Sequence, residues 1–152
     1  MKNLSDPRDR QEVLDRLRRL NREGARQWGR MTSHQMICHL SDAFRAAMGE
    51  KAVSASGTVF HRTVLKRLAL NVPIKWPRGY RTRPEMDQEI GGARPVEFER
   101  DMRELEKLVE RFTAKQKDYV SHAHPVFGEM SEAEWHRWGY LHMDHHLRQF
   151  GL

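Results

Sequence analysis

The residues best placed for chemistry are two histidines near the end of the chain, His142 and His146. An α-helix turns by about 100° per residue, so residues four apart lie on one face, one turn apart. Trp135 and Trp138 fall on the same stripe. Burying an imidazole without a partner costs about 1–3 kcal/mol, so inward-facing histidines need hydrogen bonds or a bound ion. Neutral imidazole is a common metal ligand, and rings at this spacing can converge on one ion.

A third histidine, His39, lies in an earlier helical segment, beside the apolar stripe that contains Met36. Together, His39, His142 and His146 predict a site for one divalent metal ion. The alternative interpretation is that all three are hydrogen-bonded histidines of the core. Three neutral imidazoles leave an open coordination position, as in catalytic sites, and both zinc and nickel suit such ligands. The chain has neither the His-Glu-x-x-His nor the Glu-x-x-His spacing, which disfavours a metalloprotease or a di-iron centre.

Two further polar residues are candidates for the surroundings of this site. His124, in the loop before the last helix, is a candidate catalytic acid or base, or an extra ligand; its alternative role is that of a loop histidine beside a proline. Gln149 lies one turn beyond His146 and is a candidate hydrogen-bond partner behind that ligand, or simply a polar residue at a helix end.

Three other histidines and the single cysteine have structural interpretations. His145 lies at the edge of the histidine stripe, where it can reach a subunit interface. We expect His34 and His61 at the surface. Cys38, the only cysteine, lies about 100° around the helix from His39, and we interpret it as a small buried apolar residue rather than a nucleophile. A single cysteine also excludes an intrachain disulfide and a cysteine-rich zinc site.

The apolar periodicity predicts an all-α protein. Capping boxes at Thr32–Gln35 and Ser131–Glu134 mark two helix starts, and Asp6-Pro7 marks a third. Residues 50–94 contain a short helix within 58–70 and then prolines that prevent longer ones. Such a connection can cross the length of a bundle, so we predict a four-helix bundle with a long crossover between helices 2 and 3, in a single domain spanning residues 1–152. The predicted helices lie near residues 6–23, 32–49, 95–116 and 131–149.

The positive charge of the chain is concentrated in its crossover. The net charge is +6, yet residues 51–84 alone contain eight Lys and Arg and no Asp or Glu. Arg78, Arg81 and Arg83 are therefore candidates for binding an anion, although a solvated basic surface explains them equally well. No nucleic-acid-binding signature accompanies them, so nucleic acid is not an expected partner. Ile74 and Tyr80, with Trp76, lie among these arginines and favour a homodimer.

The compartment follows from what the sequence lacks. No run of about 18 apolar residues is present, so we expect no membrane span. The segment from Met1 to Pro7 lacks the apolar stretch of a secretory signal, and we therefore expect a cytoplasmic protein.

Several motifs resemble the DinB superfamily, and the resemblance spans roughly residues 6–152. They are Thr32-Ser-His-Gln-Met-Ile-Cys-His39-Leu, His124-Pro-Val-Phe-Gly128, Ser131-x-x-Glu134-Trp135, His142-x-x-x-His146-x-x-Gln149 and Asp144-His-His-Leu-Arg-Gln-Phe-Gly151. The resemblance implies the same bundle with a long crossover, and one divalent metal held by His39, His142 and His146. Some relatives are transferases or isomerases that use low-molecular-weight thiols, whereas most have no assigned reaction.

Two functions from different classes fit these observations. The first is a metal-dependent enzyme acting on a small molecule, in the manner of a thiol-dependent transferase or isomerase, with a low-molecular-weight thiol as cosubstrate. The alternative is a non-catalytic dimeric module for binding or stress response, in which the metal braces the helices.

Overall fold

The computed structural model describes every residue from Met1 to Leu152 and is all-helical, with no β-strand. A π-helical turn, His61–Leu65, leads into the third helix, and a 3-10 turn, Pro84–Met86, lies in the crossover. No helix combines the length and the apolar character needed to cross a membrane. The five α-helices are α1 (Pro7–Arg18), α2 (Ser33–Ala47), α3 (Lys66–Asn71), α4 (Phe98–Phe112) and α5 (Glu132–Gln149).

The predicted caps of the two helices that carry the histidines are confirmed. At the start of α2, the Thr32 hydroxyl accepts a hydrogen bond from the backbone N–H of Gln35, whose side chain accepts one from the Thr32 N–H. Ser131 and Glu134 make the same reciprocal pair at the start of α5. Each box satisfies two N–H groups that would otherwise lack partners, so both helix starts are fixed by local sequence.

The other two helices are shorter than predicted. The first ends at Arg18 rather than near residue 23, because the N–H groups of Arg19 and Leu20 turn back onto the last turn of α1. Helix α4 begins at Phe98, three residues after the predicted start near Pro95, and its cap is Glu97. The Glu97 carboxylate accepts hydrogen bonds from the second and third residues of the helix, a local contact that outweighs the usual preference for proline at a helix start.

The core lies where the helices pack against α5 and α2. Helix α1 packs against α5, while α2 packs against both α4 and α5. Phe44 of α2 and Phe112 of α4 meet edge to face with centroids 5.1 Å apart, and Met143 and Leu147 of α5 are fully buried. Burying such side chains contributes about 1.5–3 kcal/mol each, which holds α2 against α5 at the depth where the histidines lie.

A buried aspartate ties the crossover to α2. Asp42 is only 2% exposed, and its carboxylate accepts hydrogen bonds from the N–H of Ala93 at 2.7 Å and the side-chain amide of Gln88 at 3.4 Å. The ammonium group of Lys51 lies 3.3 Å from the same oxygen. The sequence patterns did not single out Asp42, yet these bonds fix the segment that carries Met86 over the middle of α2.

We predict that Asp42→Ala lowers the free energy of unfolding by roughly 2–3 kcal/mol, because it leaves a backbone N–H, an amide and a cation without their acceptor. Chemical denaturation followed by circular dichroism measures this change. Asp15→Ala, on the exposed face of α1, is the control and should change stability by less than about 0.5 kcal/mol. Equal effects from the two variants would contradict the role of Asp42 as an anchor.

Candidate metal centre

Three histidines from two helices converge at the buried junction of α2 and α5. The Nε2 atom of His142 lies 3.3 Å from Nε2 of His39 and 3.2 Å from Nε2 of His146. His39 and His146 are 6% and 8% exposed. The structure thus brings together the three residues that the spacing indicated, as a buried group that could bind a metal ion.

The outer nitrogens of two of these rings have fixed acceptors. Nδ1 of His39 lies 3.0 Å from the carbonyl oxygen of Met86, which can only accept, so this nitrogen carries the proton. Nδ1 of His146 lies 3.1 Å from Oε1 of Gln149. The amide of Gln149 is oriented by its own donation to the carbonyl of Trp28 at 3.0 Å, so its oxygen faces His146. Both rings therefore present an unprotonated Nε2 to the junction.

The donor set fits a divalent ion. A tetrahedral zinc site with Zn–N bonds of about 2.0–2.1 Å has ligand atoms about 3.3–3.4 Å apart, close to the two Nε2 separations that involve His142. Nδ1 of His142 is buried and has no hydrogen-bond partner. Nε2 of His142 can donate one proton at most, so it can satisfy the lone pair of His39 or that of His146 but not both. A cation bound between the three nitrogens would satisfy all of these lone pairs.

Burial keeps these three imidazoles in the form that a metal requires. Desolvation lowers the pKa of His39 below its ordinary value. Desolvation, together with the neighbouring histidines, holds the pKa values of His142 and His146 well below the ordinary value. Neutral rings are the ligating form, so the group is ready to bind a cation without first losing protons.

A cavity of about 270 Å³ adjoins the three histidines, which form part of its lining. Its lining combines aromatic and aliphatic side chains, and no Asp or Glu is part of it. Trp135 and Trp138, expected in the core, are buried and also face this cavity. The remaining aromatic side chains of the lining are Trp76 and Tyr80 of the crossover and Phe127 of the loop before α5.

The three candidate anion-binding arginines do not share one location. Arg81 and Arg83 line the cavity, and Arg83 also donates to the hydroxyl of Ser54 at 2.7 Å. Arg78 is not part of the lining, and its guanidinium lies over the Trp28 ring at 5.3 Å. Positive charge at the cavity therefore comes from the two later arginines.

His124 also lines the cavity, but its geometry differs from that of a base or a ligand. Its Nδ1 accepts hydrogen bonds from the backbone N–H groups of Val126 and Phe127, at 3.1 and 3.0 Å. Burial lowers its pKa to about 3. The ring therefore has no free lone pair, which argues against the expected role as catalytic base or extra ligand.

The expectation that His34 lies at the surface is wrong. Its side chain is 12% exposed, and its Nε2 lies 2.8 Å from the Asp101 carboxylate of α4. Cys38 also faces Asp101, at 3.9 Å, and burial raises the pKa of its thiol to about 12. This agrees with the interpretation of Cys38 as buried and unreactive. The same carboxylate oxygen accepts from the N–H of Val96, so Asp101 acts as an anchor between α2 and α4.

Two aromatic residues lie deeper than the sequence indicated. His145 lines the cavity rather than an outer face, with its ring 4.8 Å from Trp28 and its Nδ1 buried without a partner. Trp76, expected among exposed interface residues, is half-buried, and its indole N–H donates to the carbonyl of Ala69 at 3.0 Å. Ile74 and Tyr80 are 56% and 65% exposed, as expected.

No sequence pattern indicated the two carbonyls that orient His39 and, through Gln149, His146. Met86 and Trp28 contribute through backbone oxygens, which every residue carries, so side-chain patterns cannot single them out. Their positions depend on turns that bring the crossover and the α1–α2 connection to the histidine junction.

We predict that replacing His39, His142 or His146 by alanine weakens zinc binding by more than about 100-fold, because each ring supplies a ligand atom. Elemental analysis of tag-free protein, followed by competition with a chromogenic chelator, measures the loss. His145→Ala is the matched control, since it neighbours His146 on α5. Equal loss from His145→Ala and His146→Ala would contradict the assigned helix face, and full retention by His39→Ala would remove α2 from the site.

We also predict that Gln149→Leu weakens zinc binding by about 10–100-fold, because His146 then loses the acceptor that fixes its tautomer. The same competition titration measures this effect. Gln116→Leu, at an exposed position after α4, should leave the affinity unchanged. Unaltered affinity in the Gln149 variant would show that the hydrogen bond does not orient the ligand.

Comparison with known proteins places the chain in a family. No match was found among curated proteins or among solved structures. One family model, described as a protein of unknown function (DUF1569), matches residues 4–151. This range includes all five helices, the three converging histidines and the loop that carries His124. Because the match covers nearly the whole chain, the protein belongs to the DUF1569 family.

Proposed function

We propose that this protein is a metal-dependent enzyme that acts on a small molecule in the cavity, with one divalent ion held by His39, His142 and His146. The observation that carries the proposal is the convergence of three Nε2 atoms beside a cavity. Hydrogen bonds to the Met86 carbonyl and to the Gln149 side-chain oxygen orient the rings of His39 and His146. Zinc and nickel are the candidate ions, because both suit imidazole ligands.

The bound ion, the aromatic side chains and the arginines of the cavity have different roles in the proposed function. An ion held there supplies Lewis acidity, which lowers the pKa of a bound water or thiol or polarises a carbonyl. Trp76, Phe127 and Trp138 exclude water and provide apolar contact for the body of a substrate. Arg81 and Arg83 favour a substrate that carries negative charge, since no acidic side chain lines the cavity.

A low-molecular-weight thiol is the cosubstrate that we propose. The chain has one cysteine, and it faces Asp101 rather than the cavity, so in the thiol transfer that we propose the sulfur comes from a second substrate. The resemblance to the DinB superfamily supports the same choice. In such a transfer the sulfur forms a bond to an electrophilic carbon, the leaving group departs with its electron pair, and the thiol proton passes to solvent.

The architecture that we propose for this function is the four-helix bundle, with α1, α2, α4 and α5 as its helices and residues 48–97 as the crossover. The homodimer stays a prediction. Phe60, Val64 and Leu68 join Ile74 and Tyr80 as exposed apolar side chains that a second copy can cover.

We predict that zinc- or nickel-reconstituted protein catalyses a reaction between a low-molecular-weight thiol and an electrophile. The measurement is a spectrophotometric panel that pairs cysteine or glutathione with aryl halides, epoxides and conjugated carbonyl compounds. In cobalt-substituted protein, the thiol should also add a sulfur-to-metal charge-transfer band. His142→Ala should lose both signals, and Cys38→Ser should keep both.

The opposite result separates the two functional classes. No turnover with any pair, and no thiol-dependent change in the cobalt spectrum, would contradict the proposed enzyme. If chelation then lowered the melting temperature strongly while no small molecule bound, the non-catalytic metal-braced module would be the better description.

A further inference from the structure

The loop before α5 closes on itself around the ring of His124. The backbone N–H of His124 donates to the carbonyl of Gly128, and the N–H of Gly128 donates back, both at 2.8 Å. Gly128 has a φ of +69°, a left-handed conformation that glycine adopts without strain. Within this closed loop, the N–H groups of Val126 and Phe127 both point at Nδ1 of His124.

These two backbone donors fix the tautomer of His124. An imidazole nitrogen that accepts hydrogen bonds carries no proton, so in the neutral ring the proton lies on Nε2. Protonation at Nδ1 would place an N–H against two other N–H groups. The low pKa of about 3 agrees with this geometry, since burial disfavours the charged ring.

The protein leaves this Nε2–H group without an acceptor. Nδ1 makes both side-chain hydrogen bonds of His124, and Nε2 makes none within the chain. The ring stacks on Phe127 with centroids 4.6 Å apart and an interplanar angle of 18°, and it lies 5.4 Å from Trp138. Packed in this way the ring cannot turn. His124 lines the cavity and its unpaired Nε2 is not fully buried, from which we infer that the N–H faces the cavity as a fixed donor.

We propose that the Nε2–H group of His124 is a positioning group that hydrogen-bonds a carboxylate oxygen of a ligand whose flat apolar body lies against the aromatic walls. The ligand class is therefore an aryl carboxylate. The walls of Trp76, Phe127 and Trp138 suit the ring, while Arg81 and Arg83, with no acidic side chain in the lining, suit the charge. The inference rests on the proposed function only in taking this cavity as the substrate site.

Two substitutions at His124 distinguish the effect of losing the Nε2–H donor from the effect of disturbing the loop. In His124→Asn the side-chain oxygen can still accept from the two backbone N–H groups, as in an Asx turn, but the side chain is too short to carry a donor to the place of Nε2. In His124→Gln the side-chain amide reaches further and restores a donor near that place. The first variant keeps the loop and removes the donor, and the second is the rescue.

The experiment titrates zinc-free and zinc-loaded protein with benzoate and follows tryptophan fluorescence, because three of the four tryptophans line the cavity. His124→Asn should weaken benzoate binding by about tenfold or more in both forms, the usual effect of losing a hydrogen bond to a charged group. His124→Gln should stay within about threefold of the wild type. Circular dichroism and zinc content should be unchanged in both variants.

A second readout tests the tautomer without any ligand. Nitrogen-15 NMR of the full chain with labelled histidine should show His124 protonated at Nε2 and unprotonated at Nδ1. The opposite tautomer, wild-type affinity in His124→Asn, or no benzoate binding to the wild type at millimolar concentration would each overturn the proposal. Weakened binding in zinc-free His124→Asn, with no thiol chemistry in any form of the protein, would support the role of His124 while the proposed enzyme activity fails.

Discussion

The arrangement of the site depends on three imidazole nitrogens that face one point inside the protein. His39, His142 and His146 lie where α2 crosses α5, and burial keeps their rings neutral. A neutral ring presents a lone pair at Nε2 only if its Nδ1 carries the proton, and a buried N–H needs an acceptor. His39 and His146 have such acceptors, whereas Nδ1 of His142 is buried without a hydrogen-bond partner.

These acceptors depend on segments outside the α-helices, which therefore contribute to the site as much as the helices do. The crossover supplies the carbonyl of Met86 behind His39, and the α1–α2 connection supplies the carbonyl of Trp28, which orients Gln149 behind His146. Asp42 holds the crossover in place by accepting the N–H of Ala93. The packed helices α2 and α5 provide the ligands, and the anchored turns decide which ring nitrogen of His39 and of His146 is available.

The cavity beside the histidines combines apolar walls with a few polar groups whose orientation is fixed by the backbone. Aromatic rings from the crossover, the loop before α5 and α5 itself form part of the walls, together with aliphatic side chains. The Nε2–H of His124 has a direction set by two backbone N–H groups rather than by a charged partner. A donor fixed in this way loses no orientational freedom when a ligand binds, which is the advantage of a preorganised site.

The sequence by itself determined the helical class, the caps of α2 and α5, and the histidine triad. These features depend on local spacing: a capping box spans four residues, and His142 and His146 share a face because of the helical repeat. The tertiary structure decided the rest. It placed His34 against Asp101 and Trp76 in the cavity wall. It also made the carbonyls of Met86 and Trp28 partners of the site. The contacts to these carbonyls join residues far apart in the chain through backbone atoms that all residues share, so no side-chain pattern can encode them.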